Sequence, residues 1–392
     1  MKICMIDLEN EMLTARFYWK DANSLSKNEF DVTYITFSKE YEKEYVTEQG
    51  IRHIILKHGQ IDTEKISSNK FDIITNLNMS TVNKLAKVIL KDNYDIYYLN
   101  GIYTPQVAKI IKNKNKNKKV IWQLQESYPD YIRDYISTQS FIKNLNKYLY
   151  SFYINLYQKY YSTLFDYIIV TDDSIKKYFN PIINGKVVVI YNYSSLEAYG
   201  TNDSKEYDLI YCGGITTARG AMSILKAVKI GKEIKSDIKM VFVGPVSEKD
   251  LRTKMDRYIM ENNLGKNIFF IGSISFDKIG SYLAKSKIGL APLFPIPKYK
   301  KNISMKIFEY MQYGLPIVGS DFGPIKRFLE ESNSGVCVNP EDGAEIWKAI
   351  KSILEDEKLY MKYSQNGKKA YKNKYNWTKM EENIINIFNN LA

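Results

Sequence analysis

Histidine is scarce in this chain: His53 and His58 are the only two in 392 residues. That excludes a histidine-rich metal centre and confines imidazole chemistry to one early segment, where both residues are read as surface or loop positions. Cysteine is scarce as well. Cys4, Cys212 and Cys337 lie far apart and match neither a metal-binding spacing nor a disulfide framework, which points to a reducing compartment. No run approaches the roughly 20 consecutive apolar residues of a membrane span. The opening segment Met1 to Asp7 passes straight into a strand-like run without the marks of an export signal, so a cytoplasmic protein is expected. Acid is in deficit: 44 Asp and Glu against 56 Lys and Arg leave a formal charge of +12, which asks for an anionic partner. Zinc-finger spacing, aromatic RNP strands and a helix-turn-helix pattern are missing, so that partner is not expected to be nucleic acid. The densest basic run, Lys112 to Lys119, falls between a helix pattern and a strand and reads as a solvated loop.

What is present is a globular composition, 45% hydrophobic and 26% charged, at a length that suggests two domains. Short apolar strands alternate with helical stretches: Lys2–Ile6, Asp31–Phe37, Ile51–Leu56, Asp72–Ile74, Ile96–Leu99, Val120–Gln123 and Tyr167–Thr171. After Lys186–Tyr191 a second series begins, at Asp208–Cys212, Lys239–Val243, Ile268–Ile271, Ile288–Ala291, Pro316–Gly319 and Gly335–Val338. This is the pattern of parallel sheets covered on both faces, an α/β class with two doubly wound, Rossmann-like domains. The polar stretch from Asn192 to Ser204 reads as the linker. The domains are then 1–195 and 205–376, followed by a last helix in 377–392 with Thr378 as its candidate N-cap. Such domains bind ligands outside the carboxyl ends of their strands.

Two segments of the second domain carry chemistry. Ser304-Met305-Lys306-Ile307-Phe308-Glu309-Tyr310-Met311-Gln312-Tyr313-Gly314 reads as a short helix bearing one carboxylate and closed by a glycine turn, followed by the buried strand that ends at Ser320-Asp321. Tyr211-Cys212-Gly213-Gly214-Ile215-Thr216-Thr217-Ala218-Arg219-Gly220 follows a strand and opens a helix. Glycines let the backbone approach a diphosphate, helix N-termini present N–H groups to it, and Arg219 adds a fixed cation.

Together these segments resemble the donor site of the family 4 glycosyltransferases (glycosyl transferases group 1), whose commoner form reads Pro-x-Lys-x-x-Glu-Tyr-Met-x-x-Gly-x-Pro-Val-Val-x-Ser-Asp. The resemblance implies the GT-B layout, two Rossmann-like domains facing across a cleft, with the last helix returning to the first domain. It implies that Gly213, Gly214, Arg219 and Gly220 form the diphosphate loop, that Ser304, Met305 and Lys306 face the donor phosphates, and that Glu309 accepts hydrogen bonds from the ribose. The family usually carries a second basic residue at the position of Gly214. Either Arg219 acts with less help here or Lys306 supplies the second charge. The family's first glutamate falls at Lys301. Pro292, Phe294, Pro295 and Pro297 lie in a loop that could touch the sugar.

The first domain resembles the family's acceptor half. Arg16-Phe17-Tyr18-Trp19-Lys20-Asp21-Ala22-Asn23-Ser24-Leu25 parallels Arg-Ile-x-x-Lys-Glu-x-x-Ser-Leu, the opening of a first long helix. Trp122-Gln123-Leu124-Gln125-Glu126-Ser127-Tyr128-Pro129 parallels Tyr-Asp-x-His-Glu-x-Tyr-Pro, with Gln125 in place of the histidine beside the transferring sugar. Glutamine can hydrogen-bond a sugar hydroxyl but cannot shuttle a proton near neutral pH. Gln125, Glu126 and Arg219 are the candidate catalytic residues. Asp172-Asp173 reads as a helix cap rather than a metal site, and neither metal nor cofactor is expected. From Tyr131 to Phe165 aromatic residues alternate with lysines, which suits either core packing or an anionic membrane surface. The function implied is a retaining transfer of sugar from a nucleotide diphosphate to a lipid-linked or saccharide acceptor, in cell-envelope polysaccharide or glycolipid assembly, in the cytoplasm or at the inner face of the plasma membrane. Two alternatives stand beside it: a degenerate nucleotide-sugar-binding scaffold or partner subunit, and a nucleotide-sugar epimerase, which would need acid and base groups that Gln125 does not provide.

Overall fold

The computed structural model describes the chain apart from residues 9–12, 15, 39, 58–78, 136–140, 177–178, 180–185, 196–203 and 392; for 79–83, 131, 134–135, 141–146 and 277 it describes the backbone alone. Two compact units emerge. Unit 1 comprises Met1–Asn192 with Thr378–Ala392, and unit 2 comprises Tyr193–Trp377.

Unit 1 is built on β1 (Lys2–Asp7), β2 (Asp31–Ser38), β3 (Lys43–Val46), β4 (Arg52–Lys57), β5 (Ile96–Asn100), β6 (Lys119–Leu124), β7 (Tyr167–Val170) and β8 (Val187–Val189), in the spatial order 3-4-2-1-5-6-7-8. Of its central strands, β5 is buried along its whole length and β1 and β6 are buried from their second residue onward, as strands covered on both faces must be. On β5, Tyr97 and Leu99 enter the main core while Tyr98 faces the opposite side. There it meets Phe17 (ring centroids 4.8 Å apart) and Phe388 of the C-terminal helix (5.5 Å). All pairings are parallel except β3 on β4, an antiparallel edge strand that the sequence pattern did not signal. The expected strand Asp72–Ile74 and His58 lie outside the described residues. His53 is not the surface residue expected: it sits on β4 at 2% exposure, bonded to Thr36 Oγ1 and the Tyr45 hydroxyl (both 2.9 Å).

The expected long helix at Arg16 is also different. Residues Phe17–Ala22 form a π-helical segment, followed by a short α-helix, Asn23–Lys27. The wider turn, closed by Asp21 N–H to Arg16 O at 3.1 Å, brings Arg16, Lys20 and Asp21 onto one inward face. Asp21 Oδ2 accepts from the Tyr98 hydroxyl and from Gln123 Nε2, each at 2.9 Å, and Oδ1 pairs with Arg16 at 3.3 Å. Arg16 and Lys20 also reach Tyr191 O (3.3 Å) and Asn192 Oδ1 (2.6 Å). An inward charge cluster of this kind cannot be read from apolar periodicity.

Unit 2 contains β9 (Tyr207–Cys212), β10 (Met240–Val243), β11 (Ile268–Gly272), β12 (Ser286–Ala291), β13 (Ile317–Ser320) and β14 (Gly335–Val338), all parallel in the spatial order 11-10-9-12-13-14. Counted within the unit this is 3-2-1-4-5-6, the dinucleotide-fold order, whose switch point lies between β9 and β12. The helix Lys306–Tyr313 docks there because Gly289 on β12 leaves room for the Tyr310 ring: a Cβ at Gly289 would lie 2.4 Å from that ring. The Tyr310 hydroxyl accepts from Cys212 N–H (3.0 Å) and donates to Leu290 O (3.2 Å), tying the helix to both switch-point strands. At the far end of the unit, the last helix, Trp377–Asn389, begins one residue before Thr378. Thr378 is therefore not its cap. Asn376 precedes the helix and uses its side-chain amide to close the preceding one, donating to Tyr371 O and Lys372 O (both 2.9 Å).

Candidate functional site

The site forms where β9 ends. Gly213 takes φ +112°, a conformation that side chains avoid, and the chain then passes a short 3-10 turn, Thr217–Arg219, to Gly220 at φ +75°, where the helix Ala221–Ile234 starts. Gly220 is fixed by its neighbour as well, since a Cβ there would lie 2.2 Å from Pro292 O. That contact packs the loop after β12 against the loop after β9, and Phe294 N–H donates to Ala218 O at 2.8 Å.

Arg219 is half-buried and turns back over its own loop, with Nη1 to Gly214 O and Nε to the Tyr299 hydroxyl, both at 3.0 Å. Gly214 permits this, because a Cβ there would come within 2.9 Å of Nη1. Lys306 arrives from the other side, at the first turn of the helix Lys306–Tyr313, whose N-terminus has no side-chain cap. A Cβ built on Gly213 would be 3.8 Å from both Arg219 Nη1 and Lys306 Nζ, so the two cations converge on the same glycine. Gly213, Gly214, Arg219, Gly220 and Lys306 are thus one cluster. Ser304 and Met305 lead directly into it, and Glu309 lies one turn further along the helix at 3% exposure.

The electrostatics of Lys306 follow from this position. Its ammonium is buried, 3.3 Å from the Tyr211 hydroxyl and 4.5 Å from the centre of that ring. Loss of solvent and then the nearby Arg219 charge lower its pKa to about 7, against the opposing pull of Glu309. Burial, with the Glu309 charge second, drives the Cys212 thiol the other way, well above its usual range, so this cysteine is an inert packing residue.

Three residues of the cluster carried no functional signal in the sequence. Tyr211 holds both Lys306 and, through its hydroxyl to Gly214 O at 3.0 Å, the loop. Tyr299 orients Arg219. Gly244, at φ +141°, lies against the loop so closely that a Cβ would sit 2.2 Å from Gly213 O. Its place in Val243-Gly244-Pro245, straight after a strand, was the one available hint.

Gln125 and Glu126 belong to unit 1, just beyond β6, and are half-buried. Gln125 Nε2 donates to Asn100 Oδ1 at 3.2 Å, and the main-chain carbonyl of Gln125 accepts from Thr171 Oγ1 at 2.8 Å. Asn100 ends β5, beside the switch point between β1 and β5. Asp172 caps the turn that follows β7, with Oδ1 accepting from the amides of Ser174 (2.8 Å) and Ile175 (3.3 Å).

With this geometry in place the chain was compared with known proteins. Residues 196–370 match the family Glycosyl transferases group 1. Unit 2 carries a glycosyl transferases group 1 domain. An uncharacterised glycosyltransferase of Methanocaldococcus jannaschii is 23% identical over 58% of this chain and 59% of its own length. A phosphatidyl-myo-inositol mannosyltransferase of Mycobacterium leprae is 23% identical over 47% of this chain and 46% of its own. The alignments thus span about half the length of the curated relatives. Among solved structures, sucrose-phosphate synthase from Thermosynechococcus elongatus has a TM-score of 0.72 at 15% identity, covering 100% of this chain and 98% of that one. The Anabaena protein HepE, solved with UDP and glucose, gives 0.70 at 14% identity, covering 99% of each. The fold class is that of the GT-B glycosyltransferases, two parallel-sheet α/β units, as the sequence resemblance implied.

Proposed function

We propose that this group 1 protein is a metal-independent, retaining glycosyltransferase of family 4 type, which moves a sugar from a nucleotide diphosphate donor to a lipid-linked or saccharide acceptor. The observation that carries the reading is the convergence of Arg219 and Lys306 on Gly213 at the switch point of unit 2. Two cations beside a glycine turn that no side chain fills suit a diphosphate, whose charge they offset without a divalent ion. Glu309, one helical turn away, is the group proposed to accept the ribose hydroxyls. UDP in the HepE structure and the lipid acceptor in the name of the mannosyltransferase relative support the donor and acceptor classes. A lipopolysaccharide N-acetylglucosaminetransferase of Salmonella typhimurium, 23% identical over 46% of this chain, supports a role in envelope assembly.

In the proposed reaction the acceptor oxygen bonds to the anomeric carbon on the face from which the diphosphate departs. The bond to the diphosphate oxygen breaks, and the acceptor's proton passes to that leaving group. Arg219 and Lys306 stabilise the charge that develops on the diphosphate. Gln125, with its side-chain nitrogen committed to Asn100 Oδ1, has its side-chain oxygen Oε1 as an acceptor for a sugar hydroxyl, and Glu126 is a second polar contact. No protein group is required to shuttle the proton, so a glutamine at this position is compatible with turnover.

Calorimetric titration with UDP, GDP and ADP, in buffer containing EDTA, tests the reading on the wild-type chain and on Arg219→Ala and Glu309→Ala. One nucleotide is expected to bind, and both variants to weaken it by roughly tenfold or more, the worth of a charged hydrogen bond. No binding to any of the three would remove the donor site. Binding without product across a panel of acceptors would favour the second reading, a degenerate scaffold, which the Gln125 substitution also fits.

A further inference from the structure

The helix Phe141–Ser162 has two apolar faces, and the core uses one of them. Tyr150, Ile154 and Tyr157 are part of the unit 1 core, and Ser151 Oγ donates to Pro129 O at 2.7 Å. Tyr148, Leu149, Phe152, Tyr153, Leu156 and Tyr160 point outward, with Leu149 62%, Phe152 61% and Tyr160 71% exposed. Their spacing draws one continuous stripe along the helix, about 18 Å from first residue to last at 1.5 Å per residue. Among the described residues, the large apolar side chains exposed elsewhere are scattered singly, and single ones need no partner. A stripe of six does.

Charge decides what that partner is. The helix sequence holds Lys143, Lys147 and Lys159 and neither Asp nor Glu. Lys147 Nζ lies 5.6 Å from the centre of the Tyr148 ring, at one end of the stripe, and Lys159 stands beside Tyr160 at the other. Two copies paired through this face would set lysines against lysines. Spanning a bilayer is not the role either: among the described residues no helix is long and apolar enough to cross a membrane. Aromatic and aliphatic side chains between cationic ends are the pattern of a helix lying in the headgroup layer of an anionic bilayer.

We propose that this stripe seats unit 1 on an anionic lipid surface, with the rings at the boundary of headgroups and acyl chains and Lys147 and Lys159 against headgroup phosphates. The proposal rests on the lipid-linked acceptor reading for its purpose, because the acceptor is then met where the enzyme docks; its physics is that of the helix face alone.

The test is sedimentation of the full chain with vesicles of phosphatidylcholine, or of phosphatidylcholine and phosphatidylglycerol in equal parts, at low and high salt. The comparison chains are the triple variant Leu149→Ser, Phe152→Ser, Leu156→Ser and the double variant Lys147→Glu, Lys159→Glu. The wild type is expected to bind mixed vesicles at low salt at least about tenfold better than neutral ones, and each variant to lose about tenfold or more. Nucleotide titration of the same preparations checks that the variants are folded. Wild-type protein that stays in the supernatant, or variants that sediment as it does, would overturn the proposal. So would a wild-type dimer that the triple variant converts to monomer, which would make the stripe a self-association face. Vesicle binding without nucleotide binding would leave this surface standing and remove the transferase reading, so the two failures are distinguishable.

Discussion

Each unit sets two cations beside one carboxylate, and the two arrangements do opposite things. In unit 1, Arg16 is joined directly to Asp21, which also takes hydrogen bonds from Tyr98 and Gln123, while Lys20 ends on Asn192. These contacts are internal to the fold. In unit 2, Lys306 ends on the Tyr211 phenol with a second cation, Arg219, close enough to lower its proton affinity. A cation matched by a protein carboxylate is spent on the fold, whereas one held by a phenol and crowded by its own kind would recover its full charge on meeting an anion. The contrast separates scaffold from site without reference to any relative.

The largest expected effect tests the scaffold half. Arg16→Ala takes the ion-pair partner from buried Asp21 and leaves it only Lys20 nearby and the Tyr98 and Gln123 hydrogen bonds; breaking such a pair should lower the unfolding free energy of unit 1 by about 3–5 kcal/mol in urea titrations. Arg219→Ala, at a half-buried position, should leave the denaturation curve almost unchanged. If the two variants exchange these behaviours, the distinction between scaffold and site is wrong.

Next in size is Lys306→Met, expected to weaken nucleoside diphosphate binding by about a hundredfold, since a buried charged hydrogen bond to phosphate is lost. The pH dependence sharpens this. The folded value of about 7 lies below the ordinary lysine value, so between the two the unfolded chain holds a proton that the native chain does not. Stability of the unliganded protein should therefore rise with pH through this window and lose its Lys306 component below pH 7. A bound diphosphate restores the proton, so affinity should fall as pH climbs above 7. Titrations in buffers of different ionisation enthalpy should report proton uptake on binding, and Lys306→Met should abolish it.

The smallest change is Tyr299→Phe, which removes one hydroxyl from Arg219 Nε. A loss of about 1 kcal/mol, or a severalfold rise in Kd for the nucleotide, is expected with the denaturation curve unmoved. An unchanged Kd would mean that the remaining partners of Arg219, Gly214 O among them, suffice to orient it.

The sheets of both units were legible because buried parallel strands are short apolar runs between helical stretches, and register then follows from packing. The edge strand Lys43–Val46 was not, because three of its four residues are exposed and no apolar alternation marks it. The glycine loop and the Lys306–Glu309 helix could be found in the sequence because their chemistry resides in short contiguous runs. What could not be read was contact at a distance. Tyr299 reaches Arg219 across 80 residues and Gly244 shields Gly213 across 31, and no local pattern encodes either. The inward turn of Arg16, Lys20 and Asp21 escaped for a related reason: a single π-helical turn shifts side chains to faces that a 3.6-residue period does not assign. The helix Phe141–Ser162 shows the limit of periodicity in another way, since apolar residues on both faces left core packing and lipid contact equally open until the core was seen to use only one.

The C-terminal helix carries a consequence for the order in which the molecule is made. Unit 2 is a continuous stretch of chain, complete at Trp377, with Ser194 and Asn376 bridged at its two ends. Unit 1 is interrupted by it and needs Phe388 to cover Phe30 and Tyr98. Synthesis from the amino end therefore finishes the later unit first. The half of the protein that emerges first from the ribosome must wait, with one side of its sheet open, for the last helix to arrive.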